Sequence, residues 1–459
     1  MKKLKSWFFM AALVILLSMI YSGCEKQSSA GTAAPGVNGP IGGWAAMVRA
    51  KAKGARITAL LASHPATSAA AAMIDEFTAL TGIRVDIKIL ASTEMKTMQR
   101  SNSSARTGAF DVYMVDGFTI YEYAKAAYID NLTGRLGDSI QTPAWYDWDD
   151  VLPAYRDGIS AVEGQTYSLP IAGESRFFAY RKDLFDKYNK QIPRTLDELL
   201  ALAEFFNRRE NGLYGIAFRG APGTLVGSAH MSLAYCFTDS PIINQKTGQY
   251  TVNSPRTIQS IEYLLRLAKA GPPDIASVNH EDALAIFAQG KAALWFDATA
   301  LVTNLENSAI PELAENIGYF SVPDGPAGCS GAIAGWGFGI PSDSRQKDSA
   351  YAFIMYLSSK EKSKEYNLAG GIPNRISSFN DPEINAKYPA NKYIFDSIMA
   401  AGNMSRRGIT YNYPSVNVLN FMAVIGNQIN RAMIGQISAA DAANNAQKEI
   451  ESILAEQEG

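Results

Sequence analysis

Between Ile57 and Ala127, short apolar runs alternate with segments of helical spacing, and that alternation leaves the chain few folds. Ile57-Thr-Ala-Leu-Leu-Ala is a brief apolar run of the kind that makes a buried strand. Ala69 to Leu80 carries its apolar residues at helical spacing, and Thr81-Gly82 stops it. Ile83-Arg-Val-Asp-Ile-Lys-Ile alternates strictly and predicts a strand; Phe110-Asp-Val-Tyr-Met-Val-Asp predicts another, followed by a helix through Ala127. The order β-α-β-α-β-α predicts an α/β fold with a parallel sheet and helices on its faces. In such sheets ligands sit beyond the carboxyl ends of the strands. That brings His64, Asp116 and Gly117 into view.

The same style continues downstream. Thr195 to Asn207 predicts an amphipathic helix whose opening Thr195-Leu-Asp-Glu has the spacing of a capping box. Thr257 to Ala270 predicts a helix ended by Gly271-Pro272-Pro273, and Ser349–Ser358 and Val416–Ile434 predict two more. A chain of 459 residues is too long for one core and suits two or three domains. A net charge of −2 gives no reason to expect nucleic acid as a partner. His64, His230 and His280 share no metal-ligand spacing, and HExxH and CxxC are absent, so neither a metal nor another cofactor is expected. Cys236 and Cys329 are either a disulfide or two buried thiols.

The first 24 residues read as an export signal. Lys2, Lys3 and Lys5 precede an apolar run from Trp7 to Ile20 broken only by Ser18. That run is shorter than the roughly 20 residues a spanning helix needs. Tyr21-Ser22-Gly23-Cys24 follows and resembles the bacterial lipoprotein cleavage box, with Tyr21 where an aliphatic residue is usual. The resemblance implies a lipid on Cys24 and a protein held at the cell envelope, facing the periplasm or exterior. Glu25 to Gly43, rich in Ser, Ala, Gly and Pro, reads as a flexible tether, and folding is expected to start near Arg56, which assigns 25–54 to the tether.

Further motifs come in a fixed order. They are Leu169-Pro-Ile-Ala-Gly-Glu-Ser-Arg-Phe-Phe-Ala-Tyr-Arg-Lys-Asp-Leu-Phe, Pro193-Arg-Thr-Leu-Asp-Glu-Leu, Phe287-Ala-Gln-Gly-Lys-Ala-Ala-Leu-Trp-Phe-Asp, Gly335-Trp-Gly-Phe-Gly-Ile-Pro and Gly370-Gly-Ile-Pro-Asn-Arg. Together they resemble the extracellular solute-binding proteins that feed ABC sugar importers. Tyr146-Asp-Trp-Asp-Asp-Val-Leu-Pro, Gly173-Glu174-Ser175, Gly215-Ile-Ala-Phe-Arg-Gly and Leu294-Trp-Phe-Asp-Ala-Thr resemble its sorbitol- and mannitol-binding branch. His64-Pro65 departs from that branch, which tends to have Asn before the proline. The resemblance implies a monomer of two α/β lobes in the type II, Venus-flytrap arrangement, with the ligand in the cleft and an ABC permease as partner. Carried onto this chain, the lobes are 55–170 with 337–395 and 171–336 with 396–459. The crossings fall near Leu169–Gly173, near Ile333–Trp336 and near residue 395.

A sugar or polyol offers many hydroxyls, which carboxylates and arginines bind by charge-assisted hydrogen bonds, and a ring offers an apolar face for an aromatic. The candidate ligand-binding residues are His64, Asp116, Glu174, Arg176, Arg219, Asp297 and Trp336. Asp116 and Asp297 end strands, where the alternative role is helix capping. Glu174 and Arg176 sit at a lobe crossing, where they could instead pair with each other. Trp336 lies between Gly335 and Gly337, which would let a backbone come close to a ligand. Trp295, Phe178 and Tyr180 are expected in the core, and Asn374 and Arg375 in a loop. A glycosidase would need two carboxylates about 5 to 9.5 Å apart. Asp116, Glu174 and Asp297 leave that alternative open, but a binding protein without catalytic residues is the expectation.

Overall fold

A computed structural model of the chain describes residues 39–52, 54–328, 331–406 and 409–458. Nine strands build two mixed sheets. The first takes β1 (Arg56–Ala62), β2 (Arg84–Leu90), β3 (Val112–Asp116) and β4 (Leu169–Glu174). The second takes β5 (Arg176–Arg181), β6 (Tyr214–Phe218), β7 (Ala292–Ala298) and β8 (Ile317–Ser321). A last strand, β9 (Ala334–Gly339), returns to the first sheet, giving the orders β2-β1-β3-β9-β4 and β8-β5-β7-β6. β1 pairs parallel with β2 and β3, as the alternation predicts. β9 then runs antiparallel between β3 and β4, so the sheet is mixed where it was expected to be parallel.

The strand runs follow burial. All five residues of β3 are buried, while β2, at the sheet edge, alternates exposed with half-buried residues. The single helix expected over Ala69–Leu80 is two, Pro65–Ala72 and Ile74–Thr81, which meet at Met73; Gly82 ends the second in the left-handed conformation. Thr195 caps the Leu196–Phe206 helix in the expected box, its side chain accepting from the Glu198 N–H while Glu198 reaches back to the Thr195 N–H.

Two expectations are corrected. Residues 40–52 are not tether. Pro40–Ala52 is a helix that buries Ile41, Trp44 and Ala45. Trp44 meets Trp145 edge-on at 5.6 Å and lies nearly parallel to Tyr356 at 6.2 Å. The spacing i, i+3, i+4 of those three residues outweighs the Gly and Ala around them. Residues 25–38 lie outside the described residues, as do Cys24 and Cys329. The second correction concerns where the chain changes sheet. β4 stays in the first sheet through Glu174, and β5 opens the second at Arg176, so the boundary drawn at 170 falls inside a strand. The return comes at Ala334 rather than 337. A third crossing precedes the Asn391–Arg406 helix, which packs on β5 and β8.

Candidate functional site: the seam between the two sheets

Ser175 is the single residue between the sheets, and the expected residues gather on either side of it. On the first sheet, Pro65 opens a helix two residues beyond the end of β1, after Ser63 and His64, and the His64 Nδ1 caps that helix by accepting from the Ala66 N–H at 3.2 Å. This leaves Nε2 to carry the ring proton. Nε2 lies 3.0 Å from Glu174 Oε1. The contact is within ion-pair range, but Oε1 has no partner of hydrogen-bond geometry. Asp116 ends β3 opposite Trp336 of β9, so the two side chains share a face. Its Oδ1 accepts from both the backbone and the hydroxyl of Thr119, at 2.9 and 2.8 Å, and its Oδ2 pairs with Lys96 at 2.5 Å. Asp116 thus caps the turn, as the alternative role required, while also holding a lysine. The Lys96 ammonium stands 5.5 Å over the Trp336 ring, and His64 lies beside that ring at 5.8 Å.

Gly335 has a packing role within the sheet. Its φ of +152° favours glycine, and a Cβ there would lie 2.3 Å from the Ala172 carbonyl. The glycine serves an irregular pairing of β9 with β4, whose register shifts between Trp336 and Gly337.

On the second sheet Asp297, fully buried near the end of β7, gathers the cations. Arg219 binds it with Nε at 3.1 Å and also through Nη2, and Arg176 Nη1 stands 3.6 Å away. The Ala298 N–H donates to the same carboxylate at 2.6 Å. Burial alone would raise the Asp297 carboxyl. The charges of Arg219 and Arg176, with those hydrogen bonds, more than offset it and hold the group below the usual carboxylate range. Arg176 also donates to Ser228 Oγ at 2.9 Å. Burial, and next the charge of Arg219, pushes the Arg176 guanidinium down to about 10.

The structure therefore brings His64, Asp116, Glu174 and Trp336 together on one side and Arg176, Arg219 and Asp297 on the other, with Glu174-Ser175-Arg176 linking the sets. Three polar atoms in these consecutive residues are buried without a hydrogen-bond partner: Glu174 Oε1, Ser175 Oγ and Arg176 Nη1. One accepts, one donates and one does both. Such atoms cost about 1–3 kcal/mol each when left unpaired, more for charged groups. A molecule rich in hydroxyls can satisfy all three.

Sequence reasoning missed Lys96, Ser228, Tyr411, Asn412 and His280. Lys96 is one polar residue on the helix Ser92–Ala105 and carries no motif. Tyr411 bonds Ser232 at 2.9 Å, and Asn412 donates to the Gly158 carbonyl at 3.2 Å; both come from far along the chain. His280 opens the helix His280–Ala288 and pairs with Glu281 at 2.7 Å; burial first, and then the Arg219 charge, lowers its imidazole. Of the residues expected elsewhere, Trp295 and Phe178 are fully buried and Tyr180 partly so. Arg375 is fully buried, donating to the carbonyls of Ser358 and Asp147. A cavity of about 780 Å³ lies elsewhere, between the Pro40–Ala52 helix and the segment 344–352, and none of the seven expected residues lines it. Among the described residues no cluster of His, Cys, Asp or Glu is placed to hold a metal.

Known proteins resemble this chain along most of its length. The erythritol/L-threitol-binding protein of Mycolicibacterium smegmatis is 26% identical over 340 residues, covering 70% of each chain. The mannitol-binding protein of Pseudomonas aeruginosa is 25% identical over 379 residues, 78% of this chain and 84% of its own. A solute-binding protein of an ABC transporter from Agrobacterium radiobacter, solved with ribitol, superposes with a TM-score of 0.78 at 23% identity, over 87% of this chain and 99% of its own. That likeness establishes the two-lobed binding-protein fold. Residues 62–364 match the bacterial extracellular solute-binding protein family, and the chain belongs to that family.

Proposed function

We propose that this protein captures a sugar or, more narrowly, a sugar alcohol in the cleft between its two sheets and delivers it to an ABC permease. The buried trio Glu174 Oε1, Ser175 Oγ and Arg176 Nη1 carries this reading: none has a hydrogen-bond partner, although Glu174 and Arg176 each face an opposite charge. A hydroxyl both donates and accepts, so a polyol chain can pair with a carboxylate, a serine and a guanidinium in succession. A simple anion would suit Arg176 and be repelled by Glu174. Relatives whose names specify erythritol, threitol and mannitol support the choice of sugar alcohol. In this reading Asp297 acts by fixing Arg176 and Arg219, while Glu174, Arg176 and Arg219 touch the ligand. His64, Asp116 and Trp336 line the wall that Glu174 shares, opposite Arg176 and Arg219. The lobes close on the ligand by a hinge, and a lipid on Cys24 keeps the protein near its permease.

The test is a melting panel of tetritols, pentitols, hexitols, hexoses and disaccharides. A ligand at 100 times its dissociation constant adds about 2.7 kcal/mol to stability. A shift with at least one alditol is expected. A response to disaccharides alone would reject the sugar alcohol, and a response to none would reject the sugar class.

A further inference from the structure

We propose that Lys96 is a specificity-determining residue that makes the cleft select open-chain polyols over ring sugars; this rests on the reading just given. A pyranose is held by stacking its apolar face on an aromatic ring. The aromatic positioned for that task is Trp336, which is partly exposed and packs against the core of the first sheet. Its ring is already engaged. Lys96 Nζ stands over it at 5.5 Å, and His64 sits beside it at 5.8 Å, tilted by 53°.

Lys96 is not free to leave. Its side chain is only 13% exposed, and its ammonium is bound to Asp116 Oδ2 at 2.5 Å. Asp116 is fixed in turn by Thr119 at its other oxygen. A sugar ring would have to displace the ammonium from the indole and carry it away from a largely buried carboxylate. The cost would be the cation–π contact and a partly desolvated ion pair. A polyol needs no stacking surface. Its hydroxyls can accept from the ammonium where it stands and hydrogen-bond the atoms at Glu174, Ser175 and Arg176 that lack a hydrogen-bond partner.

The experiment uses the full chain in a detergent without a sugar headgroup, with calorimetric titration of ribitol and D-mannitol against D-glucose and maltose. The wild type is expected to prefer an alditol to either ring sugar by at least about tenfold, within the range that one mismatched group in a pocket supplies. Lys96→Met frees the indole face and should cut that preference by roughly tenfold. Lys96→Arg keeps a cation over the ring and should retain the preference. Because Lys96→Met leaves the Asp116 carboxylate without its cation, the double variant Lys96→Met with Asp116→Asn is measured alongside, with melting of each unliganded protein as the folding control. A wild type that binds alditols and ring sugars alike, or folded Met variants that still refuse ring sugars or bind neither class, overturns the role of Lys96 and leaves the proposed function standing. A wild type that binds no alditol overturns both.

Discussion

Arg176 carries its charge where water barely reaches, beside Arg219, with Asp297 as the carboxylate between them. Removing one partner of a buried charge group costs far more than the group's net contribution. Asp297→Asn would leave two guanidiniums facing each other and is expected to lower stability by about 3–5 kcal/mol in urea denaturation. Arg219→Met should cost clearly less, because Arg176 remains to neutralise Asp297. Equal losses would mean that the cluster is not organised around the carboxylate. His230 makes a separate prediction. It is buried against Ser260 at 2.8 Å, and burial pushes its imidazole down to about 4. Between pH 6.5 and 4 the unfolded chain binds a proton there that the folded chain does not, so stability falls as pH drops through that window. The loss is roughly 3 kcal/mol at most. His230→Gln should flatten the pH dependence of the denaturation midpoint between pH 7 and 4.5; an unchanged slope would assign the acid sensitivity to other groups. Such residues show how legible the site was. Asp116 and Asp297 stand at strand ends that pattern alone locates, whereas Glu174 is reached through the lobe crossing that the family resemblance implies. Lys96 and His280 were hidden because a lysine on a polar helix and a histidine at a helix start look like ordinary surface. Only the fold sets Lys96 against Asp116 and Trp336.

Elements were legible where one face is buried. β1, β2 and β3 follow their apolar patterns, and the Thr195 box marks a helix start. Two features show no clear pattern of their own: β9, which only the family resemblance marks as a returning strand, and the Pro40–Ala52 helix, which reads as tether. β9 has little side-chain pattern of its own, since Gly335, Gly337 and Gly339 fill half of it; backbone approach to β4 decides its place. The Pro40–Ala52 helix was masked by the Ser, Gly and Ala before it, which average away the signal of Ile41 and Trp44. Its docking is by side chain rather than by propensity, because a helix of this length is marginal alone. Trp44→Ala is therefore expected to cost about 3 kcal/mol, as for other large buried aromatics cut to alanine. The measurement is chemical denaturation with hydrogen exchange across residues 40–52. Rapid exchange throughout that span in the wild type would contradict a docked helix, and its appearance only in the variant would support one.

At the scale of the molecule, two sheets share one chain that crosses between them three times, and the first crossing is a single residue long. So short a connection allows rotation of one half against the other while keeping Glu174 and Arg176 adjacent. It therefore suits a hinge better than a sliding interface. The halves also meet away from the hinge, where the loop after β3 faces the segment at 411–412. Phe118 lies 6.4 Å from Tyr411, and a Cβ on Gly117 would fall 2.5 Å from Asn412 Nδ2 and 2.8 Å from Ile159 Cδ1. Glycine is what lets these surfaces close, since no side chain fits between them. Gly117 has ordinary backbone angles, so a larger residue strains the contact rather than the turn. Gly117→Val is accordingly expected to overpack this contact at a cost of about 1–3 kcal/mol, lowering the melting temperature of the unliganded protein while leaving it folded, and to weaken ligand binding by roughly tenfold. Solution scattering separates this from a local effect. The wild type should contract on adding ligand, and Gly117→Val should contract less at saturating ligand. Full contraction with normal affinity would show that the 116–118 loop plays no part in closure and that the hinge at Ser175 acts without it.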